Sequence, residues 1–189
     1  LGMVIDMSHS AEYSTLQAIE LSSRPIVISH ANPVSFEPAR RNKSATVLKA
    51  LAQTGGLLGF SLYPLHLKNG PACSLDEFCS MVADTVDLMG IHHVGIGSDL
   101  CCNQPVSMLT WMRNGRWSKQ MDYGEGSADK PEWPGALNWF KNSRDFPNIV
   151  VGLQRKGFTE KEIEQIMGRN WFDFLSCALV PQVNSNANK

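Results

Sequence analysis

The chain has 189 residues, enough for one domain with a hydrophobic core. Hydrophobic residues make up 43% and charged residues 19%, with a net charge of -1, as in an ordinary globular protein. This charge balance and the lack of a basic run argue against a nucleic-acid partner, and no apolar run reaches the roughly 20 residues of a transmembrane helix.

Short apolar runs alternate with amphipathic stretches over the first hundred residues. The predicted strands are residues 2–7, 25–29, 56–62 and 94–97. Between them, helices are predicted at residues 11–21, 44–53 (with Ser44 as N-cap) and 75–89 (with Ser74 as N-cap). Strands that are apolar throughout are typical of a parallel sheet covered by helices, so the predicted fold class is α/β.

The pattern changes after residue 100. Residues 101–135 are rich in Gly, Pro, Ser and Trp, and such a long irregular segment predicts a lid or an insertion. Two helices are then predicted at residues 148–156 and 160–178, the second with a capping box from Thr159 to Glu162. Residues 1–178 are thus predicted to form one domain, followed by a disordered polar tail at 179–189.

Four strand–helix units amount to half of an eight-stranded (β/α)8 barrel, which typically needs about 250 residues. A half barrel has two open edges and a bare interior face. We therefore expect a longer natural chain with further strands upstream, or a second copy that completes the barrel.

Polar residues that suit metal chemistry follow each predicted strand: His9, His30, Tyr63 and Asp99. In α/β barrels the carboxyl ends of the strands meet at one rim, where catalytic groups lie. Neutral imidazoles bind zinc, and a nearby carboxylate moves protons or binds metal, so the pattern indicates metal-assisted hydrolysis. Each residue alone also has a plainer interpretation: a hydrogen-bonded histidine, a packed tyrosine or an aspartate in a turn.

Several segments, in this order, resemble the membrane (renal) dipeptidase family of zinc metallopeptidases. They are GMVIDMSHS, ending near His9; RPIVISHA, ending near His30; ARRN at residues 39–42; HVGIGSD, ending at Asp99; and FPNIVVGLQRKGFTEKEIEQIMGRNW at residues 146–171. The resemblance covers about residues 1–178 apart from the insertion, and it corresponds to the C-terminal half of that family's barrel.

The resemblance implies a role for each matching residue. His9 and His30 would bind one zinc ion of the binuclear pair found in the complete enzyme, and Asp99 would be the catalytic acid and base. Arg41 would bind the carboxylate of a dipeptide substrate, with Tyr63 assisting. From the residues alone, Arg41 beside Arg40 would be interpreted as a solvated surface charge. Homodimerisation is a further expectation from the family.

The chain departs from the family in two ways. The family's His-x-Asp motif and bridging Glu, which supply further metal ligands, have no counterpart here, so the chain alone is expected to be a poor dipeptidase. After Asp99 the chain continues with Leu100, Cys101 and Cys102 where the family often has Phe-Asp-Gly.

Two other functions stay open. One is another barrel amidohydrolase with a different amide or ester substrate, and the other is an inactive remnant that binds a partner. The chain has five cysteines and no C-x-x-C pair, which favours free thiols in a reducing compartment and hence a cytoplasmic location.

Overall fold

A computed structural model describes residues 3–114 and 132–179. Residues 115–131 of the predicted insertion, with Trp117, and residues 180–189 of the predicted tail lie outside these ranges. Within the described ranges, no helix is both long and apolar enough to cross a membrane.

The described fold is α/β, with one parallel three-stranded sheet in the order β1-β2-β3. The strands are β1 (Val27–Ala31), β2 (Leu57–Ser61) and β3 (Val94–Ser98). The helices are α1 (Glu12–Leu21), α2 (Ala45–Gln53), α3 (Leu75–Met89), α4 (Val106–Asn114), α5 (Phe146–Arg155), α6 (Glu160–Glu164) and α7 (Asn170–Ala178). Short 3-10 turns at Pro64–His66, Gly70–Ala72, Ile91–His93 and Ser143–Asp145 complete the regular structure of the described residues.

The first predicted strand, residues 2–7, is wrong as a full strand. Its described part pairs with β1 through a single parallel bridge between Asp6 and Val27. Two backbone hydrogen bonds hold it there: Met7 donates to the Val27 carbonyl and Val27 to the Ile5 carbonyl, both at 2.9 Å. The apolar run fits a strand, but Asp6 uses its side chain to bind neighbouring backbone and hydroxyl groups, and the pairing ends there.

The structure has the helix N-caps that the sequence predicted. The Ser44 hydroxyl accepts from the Val47 amide at the start of α2. Reciprocal capping boxes begin α3, between Ser74 and Glu77, and α6, between Thr159 and Glu162. Such caps satisfy amide groups that the first helical turn leaves without intrahelical partners.

Two helical features differ from the prediction. Helix α4 lies inside the segment predicted to be irregular, with Leu109 buried but Trp111 63% exposed. The single helix predicted at residues 160–178 is divided by a π-helical turn at Gln165–Arg169, where Gly168 leaves the helical conformation. Glycine is the residue that most readily departs from a helix, because it has no side chain to restrict the backbone.

The sheet packs its apolar face against the helices. Phe60 of β2 and Phe78 of α3 are fully buried and meet edge to face, with ring centroids 6.2 Å apart. On β2 and β3, Gly59 and Gly97 let the Ser29 carbonyl of β1 approach closely, since a Cβ on either glycine would overlap that oxygen. The sheet is therefore strongly curved, with β1 drawn towards β3.

Candidate metal-binding and catalytic site

The two predicted histidines meet at the carboxyl end of the sheet. His9 follows the segment at residues 5–7, and His30 is the next-to-last residue of β1. Their Nε2 atoms are 3.0 Å apart, and their rings are inclined to each other by 65° in a T-shaped contact. The bridge between Asp6 and Val27 places the two segments side by side, so that both imidazoles project from one rim.

Arg41 binds the same pair and is half-buried, unlike the exposed Arg40. Its guanidinium donates to the Ser8 carbonyl at 3.2 Å and contacts His9 Nδ1 at 2.8 Å. Because an arginine can only donate, Nδ1 of a neutral His9 must be the acceptor and the proton of that ring is on Nε2. Arg41 therefore belongs to the site and is not a solvated surface charge.

A buried polar network fixes the loop that carries Arg41. The Asn42 side chain accepts from the Asn32 amide at 3.0 Å and donates to the His66 carbonyl at 3.0 Å. Asn32 also donates to the carbonyls of Ser61 and His66. These hydrogen bonds join the end of β1, the Arg41 loop and the end of β2. Breaking them would leave buried amide groups without partners, which costs free energy.

Asp99 lies in the left-handed region at φ 56, directly after β3. It is close enough to both histidines for its charge to favour their protonated forms. Asp99 and Tyr63 line a cavity of about 70 Å³ together with Cys101 and Trp133. Burial first, and then the Asp99 carboxylate, raises the pKa of the Cys101 thiol.

The imidazoles are held towards the neutral form that binds metal ions. Burial, followed by the charge of Arg41, lowers the pKa of His9 below its ordinary value. Burial also lowers the pKa of His30, although the Asp99 carboxylate opposes this effect. At neutral pH both rings are therefore in the neutral form that metal ligation requires. Ligation through His9 Nε2 would also require that ring to move its proton to Nδ1 and release Arg41.

Sequence reasoning overlooked Asp6, Ser8 and Ser29. The Asp6 carboxylate accepts from the Ser8 amide at 3.0 Å, the Ser8 hydroxyl at 2.6 Å and the Ser29 hydroxyl at 2.5 Å. Burial opposes ionisation of Asp6, but the hydrogen bonds from Ser29 and Ser8 outweigh it and lower the pKa of that carboxyl. A signal was present in the sequence: an aspartate inside an apolar run, and a serine directly before each histidine.

The two histidines fit part of a zinc site. Nitrogens each about 2.0–2.1 Å from one tetrahedral zinc ion lie roughly 3.4 Å apart, close to the observed separation of the two Nε2 atoms. In residues 3–114 and 132–179, no group of three or more His, Cys, Asp or Glu side chains is arranged to hold a metal ion. The described residues therefore offer two of the three or four protein ligands that zinc normally takes.

Of the other histidines, His92 and His93 lie away from the pair, whereas the ring of His66 contacts Tyr63. His92 binds Gln165 at 2.9 Å and His93 binds the Gly56 carbonyl at 3.0 Å, both at the amino end of the sheet. His66 is buried and its Nδ1 contacts the Ser61 hydroxyl at 2.9 Å. All three thus make hydrogen bonds within the fold.

The sequence matches known dipeptidases. The sequence profile described as Membrane dipeptidase (Peptidase family M19) matches residues 1–109. Dipeptidase ataJ of Aspergillus terreus is 30% identical over 173 residues, covering 89% of this chain and 34% of that protein. Dipeptidase tcpJ of Claviceps purpurea is 24% identical over 171 residues, covering 90% and 33%. The chain thus spans about a third of the length of these curated relatives.

The fold matches solved structures. An amidohydrolase from Pseudomonas aeruginosa has a TM-score of 0.85 at 24% identity, covering 94% of this chain and 53% of that one. A metallo peptidase from Rhodobacter sphaeroides, liganded with a phosphinate mimic of the dipeptide L-Ala-D-Ala, has a TM-score of 0.70 at 17% identity, covering 93% and 42%. With a profile that matches more than half of the sequence, the chain belongs to the membrane dipeptidase family, peptidase family M19.

Proposed function

We propose that this chain is the C-terminal half of a (β/α)8 barrel that hydrolyses dipeptides with zinc. The observation that carries the proposal is the 3.0 Å separation of the His9 and His30 Nε2 atoms, with Arg41 bound to the ring of His9. Support also comes from the dipeptide mimic held by the metallo peptidase of similar fold.

Each site residue would have a distinct task. His9 and His30 would hold one zinc ion of a binuclear pair, which when bound activates water and polarises the amide carbonyl. Asp99 would take a proton from the attacking water and give it to the leaving amine. Arg41 would bind the free carboxylate of the dipeptide through its forked guanidinium, and Tyr63 would border the bound substrate beside Asp99.

The remaining zinc ligands would come from outside the described residues of this chain. Two imidazoles are too few for a stable zinc site, and the described residues hold no third ligand in place. An N-terminal half barrel would supply the missing carboxylates and histidine, and a second copy of the chain is the other source. We therefore expect the isolated chain to bind zinc weakly and to hydrolyse dipeptides poorly.

The test is to measure zinc per chain after dialysis of the purified 189-residue protein against trace zinc. We expect substoichiometric zinc, and its loss in His30→Ala, because one imidazole cannot retain the ion alone. The matched control is His92→Ala, which removes an imidazole at the other end of the sheet and should leave zinc content unchanged.

Two results would contradict the proposal. Close to two tightly held zinc ions per chain, with rapid hydrolysis of L-Ala-D-Ala, would mean that the site is already complete. Zinc content that is equal in the wild type, His30→Ala and His92→Ala would mean that the histidine pair is not the metal site.

A different amide substrate is the second candidate, because the P. aeruginosa protein with a TM-score of 0.85 is an amidohydrolase. The role of Arg41 separates the two functions. A dipeptidase needs the free substrate carboxylate, so Arg41→Gln should weaken the binding of a dipeptide far more than that of the same dipeptide with an amidated C-terminus. Equal weakening would favour a substrate without that carboxylate.

A further inference from the structure

The Asp6 carboxylate lies behind His30, on the side of the ring away from His9. One of its oxygens accepts from the backbone amides of Ser8 and Ser29, both at 3.0 Å. The other accepts from the Ser29 hydroxyl at 2.5 Å. The same hydroxyl oxygen lies 2.7 Å from His30 Nδ1, so Ser29 connects the carboxylate to the ring.

The donors in this chain of contacts can be assigned. An ionised carboxylate only accepts hydrogen bonds, so the one hydroxyl proton of Ser29 points to Asp6. The Ser29 oxygen can then only accept from His30, which places the ring proton on Nδ1. The Nε2 lone pair of His30 is left facing the rim, where it accepts from the Nε2–H of His9.

We propose that Asp6 is a positioning residue that, through the Ser29 hydroxyl, holds His30 in the tautomer whose Nε2 lone pair is ready for a metal ion. The inference rests on the proposed zinc function and adds two residues to it. Histidine ligands commonly donate their second nitrogen to a carboxylate or carbonyl, which fixes the ring and its basicity. Here a serine is interposed between ring and carboxylate.

Ser8 makes the arrangement rigid. Its hydroxyl donates to Asp6 at 2.6 Å and accepts from the His30 backbone amide at 3.1 Å. Asp6 is thus bound to the residue before each histidine, and a shift of either segment would break several hydrogen bonds together. The network therefore sets the relative position of the two imidazoles as well as the tautomer of one.

The experiment measures the ¹⁵N shifts of the histidine rings by NMR on the zinc-free 189-residue chain at pH 8. In the wild type we expect His30 as the Nδ1–H tautomer and His9 as the Nε2–H tautomer, so the two rings serve as references for each other. In Asp6→Asn, the new amide donates to Ser29 and turns its hydroxyl towards His30 Nδ1. His30 should then become mainly the Nε2–H tautomer.

Zinc affinity is the second measurement, by competition with a chromophoric chelator. Asp6→Asn should weaken zinc binding by about 10- to 100-fold, the usual effect of losing an outer partner of a ligand. Ser29→Ala should also weaken it and leave a mixture of His30 tautomers. Asp173→Asn is the matched control, because Asp173 pairs with Arg169 on the exposed side of α7 and should change neither measurement.

The two measurements separate failure of this inference from failure of the zinc proposal. An Nε2–H tautomer at His30 in the wild type, or no change of tautomer in Asp6→Asn and Ser29→Ala, would overturn the positioning role. If the wild type binds no zinc even at saturating concentrations of the ion, the zinc site and the metal-directed part of the inference are refuted, while the tautomers still decide the positioning role. If Asp6→Asn does not fold, as judged by circular dichroism, Ser29→Ala decides between these outcomes.

Discussion

Lys43 is a buried cation beneath the loop that carries His9. It is 4% exposed, and its ammonium donates to the Ser10 carbonyl at 2.7 Å. Burial, followed by the nearby charge of Arg41, lowers the pKa of Lys43 from 10.5 to about 8. The folded protein therefore binds this proton less tightly than the unfolded chain does.

The expected consequence is a stability difference that depends on pH. Between about pH 8 and 10.5 the unfolded state binds more protons at this site, so folding becomes more favourable as pH rises. From pH 7 to pH 10 the wild type should gain roughly 2–3 kcal/mol relative to Lys43→Met. The measurement is the free energy of unfolding in urea for the wild type and Lys43→Met between pH 7 and pH 10. A difference between the two proteins that does not change with pH would contradict the lowered pKa.

At the residue scale, the sequence predicted the two histidines of the candidate metal site but not the residues that hold them in place. His9 and His30 could be found because each follows an apolar run and the carboxyl ends of neighbouring strands meet. Asp6 and Ser29 stand out in the sequence only as an aspartate inside an apolar run and a serine before a histidine, and Lys43 does not stand out at all. Their roles depend on contacts between segments, which only the fold shows.

Among the helices, α3 offers a direct test of local sequence signals. Ser74→Ala removes the hydroxyl that accepts from the Glu77 amide and should destabilise the protein by about 1 kcal/mol. Ser80→Ala, in the middle of the same helix, is the matched control and should be neutral or slightly stabilising. Chemical denaturation of both variants gives the comparison, and equal effects would show that the capping box contributes nothing.

Local signals explain which elements were predicted well. The first residues of α2, α3 and α6 follow from N-caps within the sequence, which need no distant partner. The strand predicted at residues 2–7 failed because strand pairing depends on the neighbouring segment, and only the Asp6 and Val27 pair forms. The π-helical turn before α7 has no periodic signature, and Gly168 alone was too weak a signal.

For the whole molecule, the curvature of the sheet depends on glycine at two places. Gly97→Ala would push a methyl group into the Ser29 carbonyl, next to the residue that we propose orients His30. We expect a loss of roughly 3 kcal/mol or more, because backbone atoms cannot move aside as a flexible side chain can. The measurement is the midpoint of urea unfolding.

Gly168→Ala is the control for this substitution. A Cβ at Gly168 would meet nothing within 4 Å, and the stability should change by less than about 1 kcal/mol. A small effect of Gly97→Ala, similar to that of the control, would mean that β1 and β3 can separate at little cost and that the sheet is less curved than described.

The five cysteines, all in the described part of the chain and none in a disulfide, have a practical consequence. Burial raises the pKa of the Cys73 and Cys79 thiols to about 12, so these two resist alkylation while the protein is folded. Cys177 on α7 is exposed, at the opposite end of the sheet from Asp99. Cys101 is also exposed and Cys102 is half-buried, so a maleimide dye becomes a reporter at Cys177, remote from the histidine pair, once both are replaced by serine. Delayed labelling of Cys73 and Cys79 would then time the opening of the core.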